Sequence, residues 1–207
     1  MGPTSRTQAE NRAAMRRHIL ESAFRTFSEK TIDAVNLTEV AEDAGVGAAT
    51  VYRYFGSKTE LVLEVSTWAW ESFIRDNETR LDRRDKTAAQ IYAFFLDSFI
   101  DLYRNHRDIL RFNQFFNVYV QREDVAPEQL QPYNSMIGSR FHECYEKGKV
   151  DRTLRTDIPE REIFSKTLHL MLAAVTRYAV SLVYDLGIAP EEELIFLKGL
   201  LMKAYTR

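Results

Sequence analysis

The chain has 207 residues, of which 45% are hydrophobic and 28% are charged, and its formal net charge is −2. That length and composition suit one or two globular domains, and the sequence lacks the run of about 18 apolar residues that a membrane-spanning helix needs. The polar residues 1–17 contain no signal-peptide core, and the single Cys144 excludes an internal disulfide framework, so we expect a cytoplasmic protein.

The first predicted helix covers residues 12–29. One of its faces is apolar and consists of Ile19, Ala23, Phe24 and Phe27. Basic residues are mildly concentrated at this end of the chain, because the first eighteen residues hold four arginines and only one acid. We interpret the segment around Arg6 either as a flexible arm that contacts a minor groove or a phosphate, or as a disordered charged tail.

A second, short helix is predicted to begin at Asn36. The side chain of Asn36 can accept from a free amide of the first turn, while Glu39 reaches back to the cap amide. Four apolar residues follow at helical spacing: Leu37, Val40, Ala41 and Ala44. Gly45 comes next, where a sharp turn needs a positive φ that side chains resist. The pattern therefore predicts a helix that ends in a tight turn.

The turn leads into a third predicted helix, from about Gly47 to Phe55. Val51 and Phe55 are four residues apart and face inward together, which leaves small, polar and aromatic side chains outside. Small leading residues let a helix approach the major groove closely, and Arg53 can bind guanine through two hydrogen bonds. We therefore predict DNA contacts from Thr38, Gly47, Ala48, Ala49, Thr50, Tyr52, Arg53, Tyr54 and Lys58. The alternative is an ordinary helical hairpin with solvated tyrosines.

Together these segments resemble the TetR family of bacterial transcriptional regulators. The resemblance is carried by the stretches ILESAFRTF (19–27), NLTEVA (36–41), AGV (44–46) and TVYRYFGSKTEL (50–61). It implies an all-α fold with two domains. Residues 1–58 would form a three-helix helix–turn–helix DNA-binding domain, and residues 59–207 a helical bundle for ligand binding and dimerisation. Beyond residue 65 the likeness is one of layout.

Two positions depart from the family pattern. Thr31 stands where the family usually has glycine, and a positive φ is costly for a β-branched residue, so we expect a different loop conformation there. Gly47 stands where the family often has serine, which removes a capping hydroxyl, although glycine remains a tolerable N-cap.

The remaining chain is predicted to be helical, without strand alternation or internal repeats. The predicted helices are 61–81, 86–103, 106–120, 136–147, 160–185 and 191–205, with a loop over 121–135. Gly148 is predicted to end the fourth of these helices.

Two apolar stripes on the last two helices are the predicted dimer surface. They comprise Leu168, Leu172, Val175, Ala179, Leu182, Leu194, Leu197 and Leu201. A helical hairpin with such stripes can meet a second copy as a four-helix bundle, and the family resemblance implies the same arrangement. The alternative is that these residues form the core of a single chain.

The middle of the chain is rich in aromatic residues, and the family resemblance implies a ligand pocket there. The candidate lining residues are Trp70, Phe73, Phe95, Phe99, Phe112, Phe116, Phe141 and His169. Such a pocket would favour a small, largely apolar or aromatic molecule. The alternative is that these residues are packing.

No catalytic or cofactor motif is present, and none of the four histidines stands at ligand spacing from a second histidine or cysteine. We therefore predict neither an enzyme nor a metal or cofactor site. The predicted function is a homodimeric repressor that binds a palindromic double-stranded DNA operator and is released by a small-molecule effector. The alternative is a small-molecule or protein binding module whose DNA-binding activity has lapsed.

Overall fold

The computed structural model describes residues 5–180 and 189–207, without the side chains of residues 5, 6 and 132–140. Within these ranges it contains nine α-helices, and the all-α fold class is confirmed. They are α1 (Ser5–Glu29), α2 (Leu37–Asp43), α3 (Ala48–Phe55), α4 (Lys58–Glu78), α5 (Ala88–Asn105), α6 (Arg107–Arg122), α7 (Gln131–Asp151), α8 (Glu160–Val180) and α9 (Pro190–Tyr205). Short 3-10 helices cover Ile32–Ala34 and Pro127–Leu130, and an isolated bridge pairs Leu154 with Thr206.

The chain divides into two compact units. The first unit ends at Trp70 but also includes Phe112–Leu130, whereas the second comprises Glu71–Arg111 and the residues from Gln131 onward. The predicted domain boundary at residue 58 does not coincide with this division. The reason is that the start of α4 and most of α6 bury apolar side chains in the same core as α1, α2 and α3.

The core of the first unit is built from the apolar faces that the sequence predicted, with additions from α4 and α6. Its fully buried members are Ile19, Ala23, Phe27, Val40, Val51, Leu61, Val62, Val65 and Phe112. Each helix contributes residues three or four positions apart, as an amphipathic helix must when one face packs against neighbours.

In the second unit, α5 packs against α7, α8 and α9, and α8 also packs against α9. The side chains of Tyr92, Leu96 and Phe99 on α5 are buried at this centre. The hydroxyls of Tyr92 and Thr167 lie 2.7 Å apart, so these buried polar groups satisfy each other.

α1 begins earlier than the sequence predicted, because residues 5–11 are helical. Arg6 therefore lies within the first turns of α1 and not in an arm that precedes a helix. No helix in the described ranges is long and apolar enough to cross a membrane.

The prediction that Gly148 ends a helix is wrong. α7 continues to Asp151, and the left-handed conformation that follows it is taken by Arg152, with φ of 60°. Glycine at position 148 instead permits a close approach, because a Cβ there would lie 2.8 Å from the Cβ of Leu154. α7 can therefore pack against the connector that leads to α8 because residue 148 has no side chain.

We expect Gly148→Ala to lower the free energy of unfolding by about 1 kcal/mol or more, because overpacking outweighs the gain in helix propensity. Gly199→Ala is the matched control, since a Cβ at this exposed position of α9 meets nothing within 4 Å. That change should raise the free energy of unfolding by about 0.5–1 kcal/mol. Denaturant unfolding of both variants checks the pair, and equal shifts of the same sign would contradict the close approach.

Candidate nucleic-acid interface

The predicted start of α2 is confirmed in detail. The amide of Glu39 donates to Asn36 Oδ1 at 3.0 Å, and the amide of Asn36 donates to Glu39 Oε1 at 3.3 Å. This reciprocal pair satisfies two helix-terminal amides and sets the direction in which α2 leaves the preceding loop.

The turn between α2 and α3 also has the predicted geometry. Gly45 has φ of 62°, and the amide of Val46 donates to the carbonyl of Ala41 at 2.9 Å. Val46 packs against the core at this point. Because a side chain at position 45 would be strained, the glycine is what permits the sharp change of direction between the two helices.

Thr31 adopts the different loop conformation that the sequence led us to expect. Its φ of −69° and ψ of 144° are extended, and its hydroxyl accepts from the amide of Ala34. Ile32 of this 3-10 turn is buried. The threonine thus caps a short helix where a glycine would have allowed a left-handed turn.

α3 is oriented by two buried residues, Val51 and Phe55. Gly47 is its N-cap and has the extended backbone of such a position, with φ of −74° and ψ of 145°. A side-chain cap is necessarily lacking at glycine. The amide of Thr50 donates to the carbonyl of Gly47 at 2.8 Å, which leaves the amides of Ala48 and Ala49 at the start of α3 for a ligand such as a phosphate.

The predicted contact residues differ in exposure. Thr38, Gly47, Ala49, Tyr52 and Arg53 are exposed, whereas Ala48, Thr50, Tyr54 and Lys58 are half-buried. The side of α3 opposite Val51 therefore carries small residues at its start and longer polar side chains toward its end. Such a taper is the shape that a helix needs to enter the major groove.

The N-terminal half of α1 forms a second wall beside α3. A groove of about 770 Å³ lies between them, and it is lined by Gln8, Asn11 and Arg12 from α1 and by residues of α3 and the turn before it. Sequence reasoning missed these α1 residues. The sequence pattern that could have identified them is the polar pair Gln8 and Asn11, three residues apart, followed by Arg12 on the same helical face.

Lys58 is engaged within the first unit. Its ammonium donates to the carbonyl of Asp33 at 3.4 Å and lies 5.8 Å from the ring centre of Tyr119. Burial lowers the pKa of the Lys58 ammonium. Asp33 also pairs with Arg122 of α6, so Lys58 belongs to a polar cluster that links α4 to its neighbours.

Arg16 of α1 holds the C-terminal end of α3. Its guanidinium donates to the carbonyl of Tyr54 at 2.7 Å, pairs with Glu64 of α4, and lies 4.5 Å from the ring centre of Phe55. One side chain thus joins three helices. Because the last carbonyls of a helix lack partners within it, this donor both caps α3 and fixes it relative to α1 and α4.

The predicted ligand-lining residues are split between the two units. Trp70, Phe112 and Phe116 belong to the first unit, where Phe112 lies 5.6 Å from Phe24 and 6.0 Å from Phe116 in the core. Phe112 and Phe116 thus pack in the core beneath the helix–turn–helix, in line with the alternative that the sequence left open. The sequence could not separate the two roles because both require aromatic side chains at helical spacing.

Within the second unit three of the predicted lining residues come together. The ring centre of Phe95 lies 5.2 Å from that of Phe99 and 5.9 Å from that of Phe141, and Phe164 joins them at 6.4 Å from Phe95. Phe73 contacts His106 instead, with 5.2 Å between ring centres.

One predicted lining residue, His169, does not face the interior. It is exposed on α8. Sequence reasoning missed Phe164 for the same reason: the side of α8 that faces the interior could not be chosen from the sequence.

Three of the predicted dimer residues are buried within one chain. Val175, Leu194 and Leu201 are buried within the second unit, because the sides of α8 and α9 that carry them pack against α5 and each other. Leu168, Leu172, Ala179 and Leu197 are half-buried, and Leu182 lies outside the described residues. The exposed apolar side chains on these helices are others: Leu170, Ile195, Phe196 and Leu200.

One cluster of possible metal ligands exists among the described residues although no pair of histidine or cysteine predicts it. His142, Glu146 and Glu160 each offer one ligand atom, and these atoms lie within 4.8 Å of one another. The third member comes from a different helix, which the spacing of residues along the chain does not reveal.

The short helix pair, its glycine turn and the tapered outer face of α3 define a helix–turn–helix protein. A family model described as "Bacterial regulatory proteins, tetR family" matches residues 19–65. The HTH-type transcriptional regulator BetI of Agrobacterium fabrum is 37% identical over 78 residues, which is 38% of this chain and 34% of that protein. BetI of Brucella canis is 25% identical over 126 residues, which is 61% of this chain and 63% of that protein. The matches thus span less than two thirds of these curated relatives.

Solved structures share the fold over nearly the whole chain. A protein from Saccharomonospora viridis, described as a transcriptional regulator and crystallised with choline, has a TM-score of 0.73 at 16% identity, with 94% of this chain and 99% of that chain covered. Such low identity shows the fold alone. The likeness to the tetR family of bacterial regulatory proteins is therefore carried by residues 19–65.

We expect Arg16→Met to lower the free energy of unfolding by about 1–3 kcal/mol, because the Tyr54 carbonyl and the Glu64 carboxylate both lose their donor. Arg17→Met is the matched control on the same helix, since Arg17 is exposed. That variant should change stability by no more than about 0.5 kcal/mol. Thermal or urea unfolding measures both, and an equal response of the two variants would contradict the role of Arg16 at the end of α3.

Proposed function

We propose that this chain is a sequence-specific DNA-binding transcriptional regulator, which acts as a homodimer and represses until a small ligand releases it. The observation that carries the proposal is the outer face of α3. Val51 and Phe55 are turned into the core, which leaves Gly47, Ala49 and Arg53 exposed. A short helix presented in this way can enter the major groove and read base edges with few side chains.

The groove between α1 and α3 supports contacts to the DNA backbone as well. Arg12 and Arg53 are the cationic side chains among the described residues that line it. Two further basic residues of the first unit are held in ion pairs, Arg25 with Asp43 and Lys30 with Glu39. Few cations are therefore directed at phosphates, so affinity should fall only moderately with salt for each protomer.

The test measures fluorescence anisotropy of the full chain against duplexes tiled across its own upstream region, at two salt concentrations. We expect saturable, salt-sensitive binding to one tile. Arg53→Ala should weaken that complex by about 1–3 kcal/mol and relax preference at one base pair, because a base contact carries sequence information. Arg12→Ala should weaken binding to all duplexes evenly and reduce the salt slope by about 1, as loss of a phosphate contact does.

Arg111→Ala is the charge-matched control, because Arg111 is exposed and belongs to the second unit. Its affinity for DNA should equal that of the wild type. Weak, uniform binding of the wild type to every tile and to random duplex would favour the alternative, a binding module that no longer reads DNA. Unchanged specificity in Arg53→Ala would remove that residue from the proposed contacts.

The proposed effector is a small, largely apolar or aromatic molecule that binds the second unit, among Phe95, Phe99, Phe141 and Phe164. Aromatic faces also accept quaternary ammonium groups, and choline was present in one structural neighbour, so choline belongs in the test panel. α4 is a single helix from Lys58 to Glu78 and contributes residues to both units, which makes it the proposed carrier of the signal.

Release requires that the effector prefer the conformation that does not bind DNA. The complex of the protein with the tile that it binds is therefore titrated with apolar, aromatic and quaternary ammonium compounds. A lower anisotropy with one class would support release. No response to any class, with operator binding intact, would overturn the ligand-gated part of the proposal alone.

The proposed dimer surface is the exposed side of α8 and α9. Phe196 is 64% exposed, and Leu170, Ile195 and Leu200 are exposed with it. Apolar side chains grouped in this way are typical of protein interfaces, and a symmetric pair of α3 helices would match a palindromic operator. This surface differs from the predicted stripes, of which Val175, Leu194 and Leu201 are buried within the second unit.

We expect Phe196→Glu to yield monomers in sedimentation velocity at micromolar concentration and to lose operator affinity, because a charge would be buried in the interface. Val150→Glu is the matched control, since Val150 is 83% exposed on α7. That variant should remain dimeric. A dimeric Phe196→Glu, or equal dissociation of both variants, would place the interface elsewhere.

A further inference from the structure

Three side chains with metal-binding atoms converge in the second unit, apart from the surfaces proposed for DNA and for the dimer. His142 and Glu146 are four residues apart on α7, so they project from the same face of that helix. Glu160 is the first residue of α8. The Nδ1 of His142 lies 3.0 Å from Oε2 of Glu160, and all three ligand atoms lie within 4.8 Å of one another. We propose that His142, Glu146 and Glu160 bind a divalent transition-metal ion, with Zn²⁺ as the expected occupant.

The distances suit such an ion. Zinc binds histidine nitrogen and carboxylate oxygen at about 2.0–2.2 Å, so two ligands of a tetrahedral ion are about 3.4 Å apart. The distance of 3.0 Å between Nδ1 of His142 and Oε2 of Glu160 differs from that separation by a few tenths of an ångström. A mixed set of one imidazole and two carboxylates favours zinc, cobalt or nickel over calcium and magnesium, which prefer oxygen ligands alone. Water would complete the coordination on the exposed side.

The backbone that carries the ligands is held in place by the connector between α7 and α8. The hydroxyl of Tyr145 donates to the carbonyl of Ile158 at 2.8 Å and lies 3.2 Å from the carbonyl of Thr156. Gly148 lets Leu154 of the same connector approach α7 closely. This connector fixes the position at which α8 begins with Glu160. The three side chains therefore need only rotate to close around an ion.

Two existing interactions compete with the metal ion. Lys149 pairs with Glu146, but an ion pair between exposed side chains contributes little and is easily exchanged. The ammonium of Lys149 also lies 5.2 Å from the ring centre of Tyr145, a contact that it can keep.

The second competitor is the proton on His142. The hydrogen bond to Glu160 raises the pKa of His142, with Glu146 adding to the rise and Lys149 opposing it. A metal ion needs the imidazole without its Nδ1 proton. Metal affinity should therefore decrease as pH falls through the raised pKa of His142, and binding should release a proton.

A bound ion would join α7 to α8 and would stabilise the second unit by mass action, because the unfolded chain lacks the assembled site. Metal binding by these three side chains does not require DNA, so it is a property of the isolated protein that is independent of the proposed regulator function.

The experiment titrates the full-length protein with Zn²⁺ by calorimetry at pH 7.5 and pH 5.5, and with Co²⁺ for its visible absorption. We expect one site per chain at pH 7.5, weaker binding at pH 5.5, and a rise in melting temperature with Zn²⁺. His142→Ala and Glu160→Gln should each weaken the binding of Zn²⁺ by at least about tenfold. Both should abolish the rise in melting temperature.

Glu162→Gln is the matched control, because Glu162 also lies in the first turn of α8 but pairs with Lys166. It should bind Zn²⁺ as the wild type does. Absence of saturable binding would overturn the proposal, and so would equal weakening by Glu160→Gln and Glu162→Gln. A thiolate charge-transfer band with Co²⁺ would also overturn it, because the ligand would then be Cys144.

Discussion

The orientation of α3 depends on two buried side chains. α3 has only eight residues, and a helix of that length is not stable in water by itself. Val51 and Phe55 anchor it in the core of the first unit, and Arg16 donates to the carbonyl of Tyr54 near its end. With these positions fixed, the period of 3.6 residues dictates that Ala49 and Arg53 face outward. The chemistry of the interface therefore follows from the packing beneath it.

The same packing explains the extent of the first unit. Two turns of α4 and most of α6 are needed to cover the apolar faces of three short helices, so Leu61, Val65 and Phe112 lie in one core with Val51. The polar cluster of Lys58, Asp33 and the α6 side chains forms at the edge of this core. A change in α4 or α6 would thus act on the helix–turn–helix through shared packing, which is the route that the proposed ligand release requires.

In the second unit, the side of each helix that packs against its neighbours determines which side chains remain on its exposed side. α8 and α9 turn Val175, Leu194 and Leu201 toward α5, and this leaves a different apolar set on the surface. The connector that Tyr145 fixes also determines where α8 begins, and hence which acidic residue faces His142. The proposed dimer surface and the cluster of His142, Glu146 and Glu160 both depend on which helix faces pack against α5 and the connector.

The sequence by itself determined the local features of the site. The Asn36–Glu39 cap, the positive φ at Gly45 and the inward pair Val51 and Phe55 were all predicted correctly, because each depends on residues within a few positions of one another. The helices were found for the same reason. Tertiary structure alone decided which apolar stripe of α8 and α9 is buried, that Gly148 continues a helix, and that Glu160 meets His142. Those outcomes depend on partners distant in sequence, and neither periodicity nor spacing specifies which face a neighbouring helix will cover.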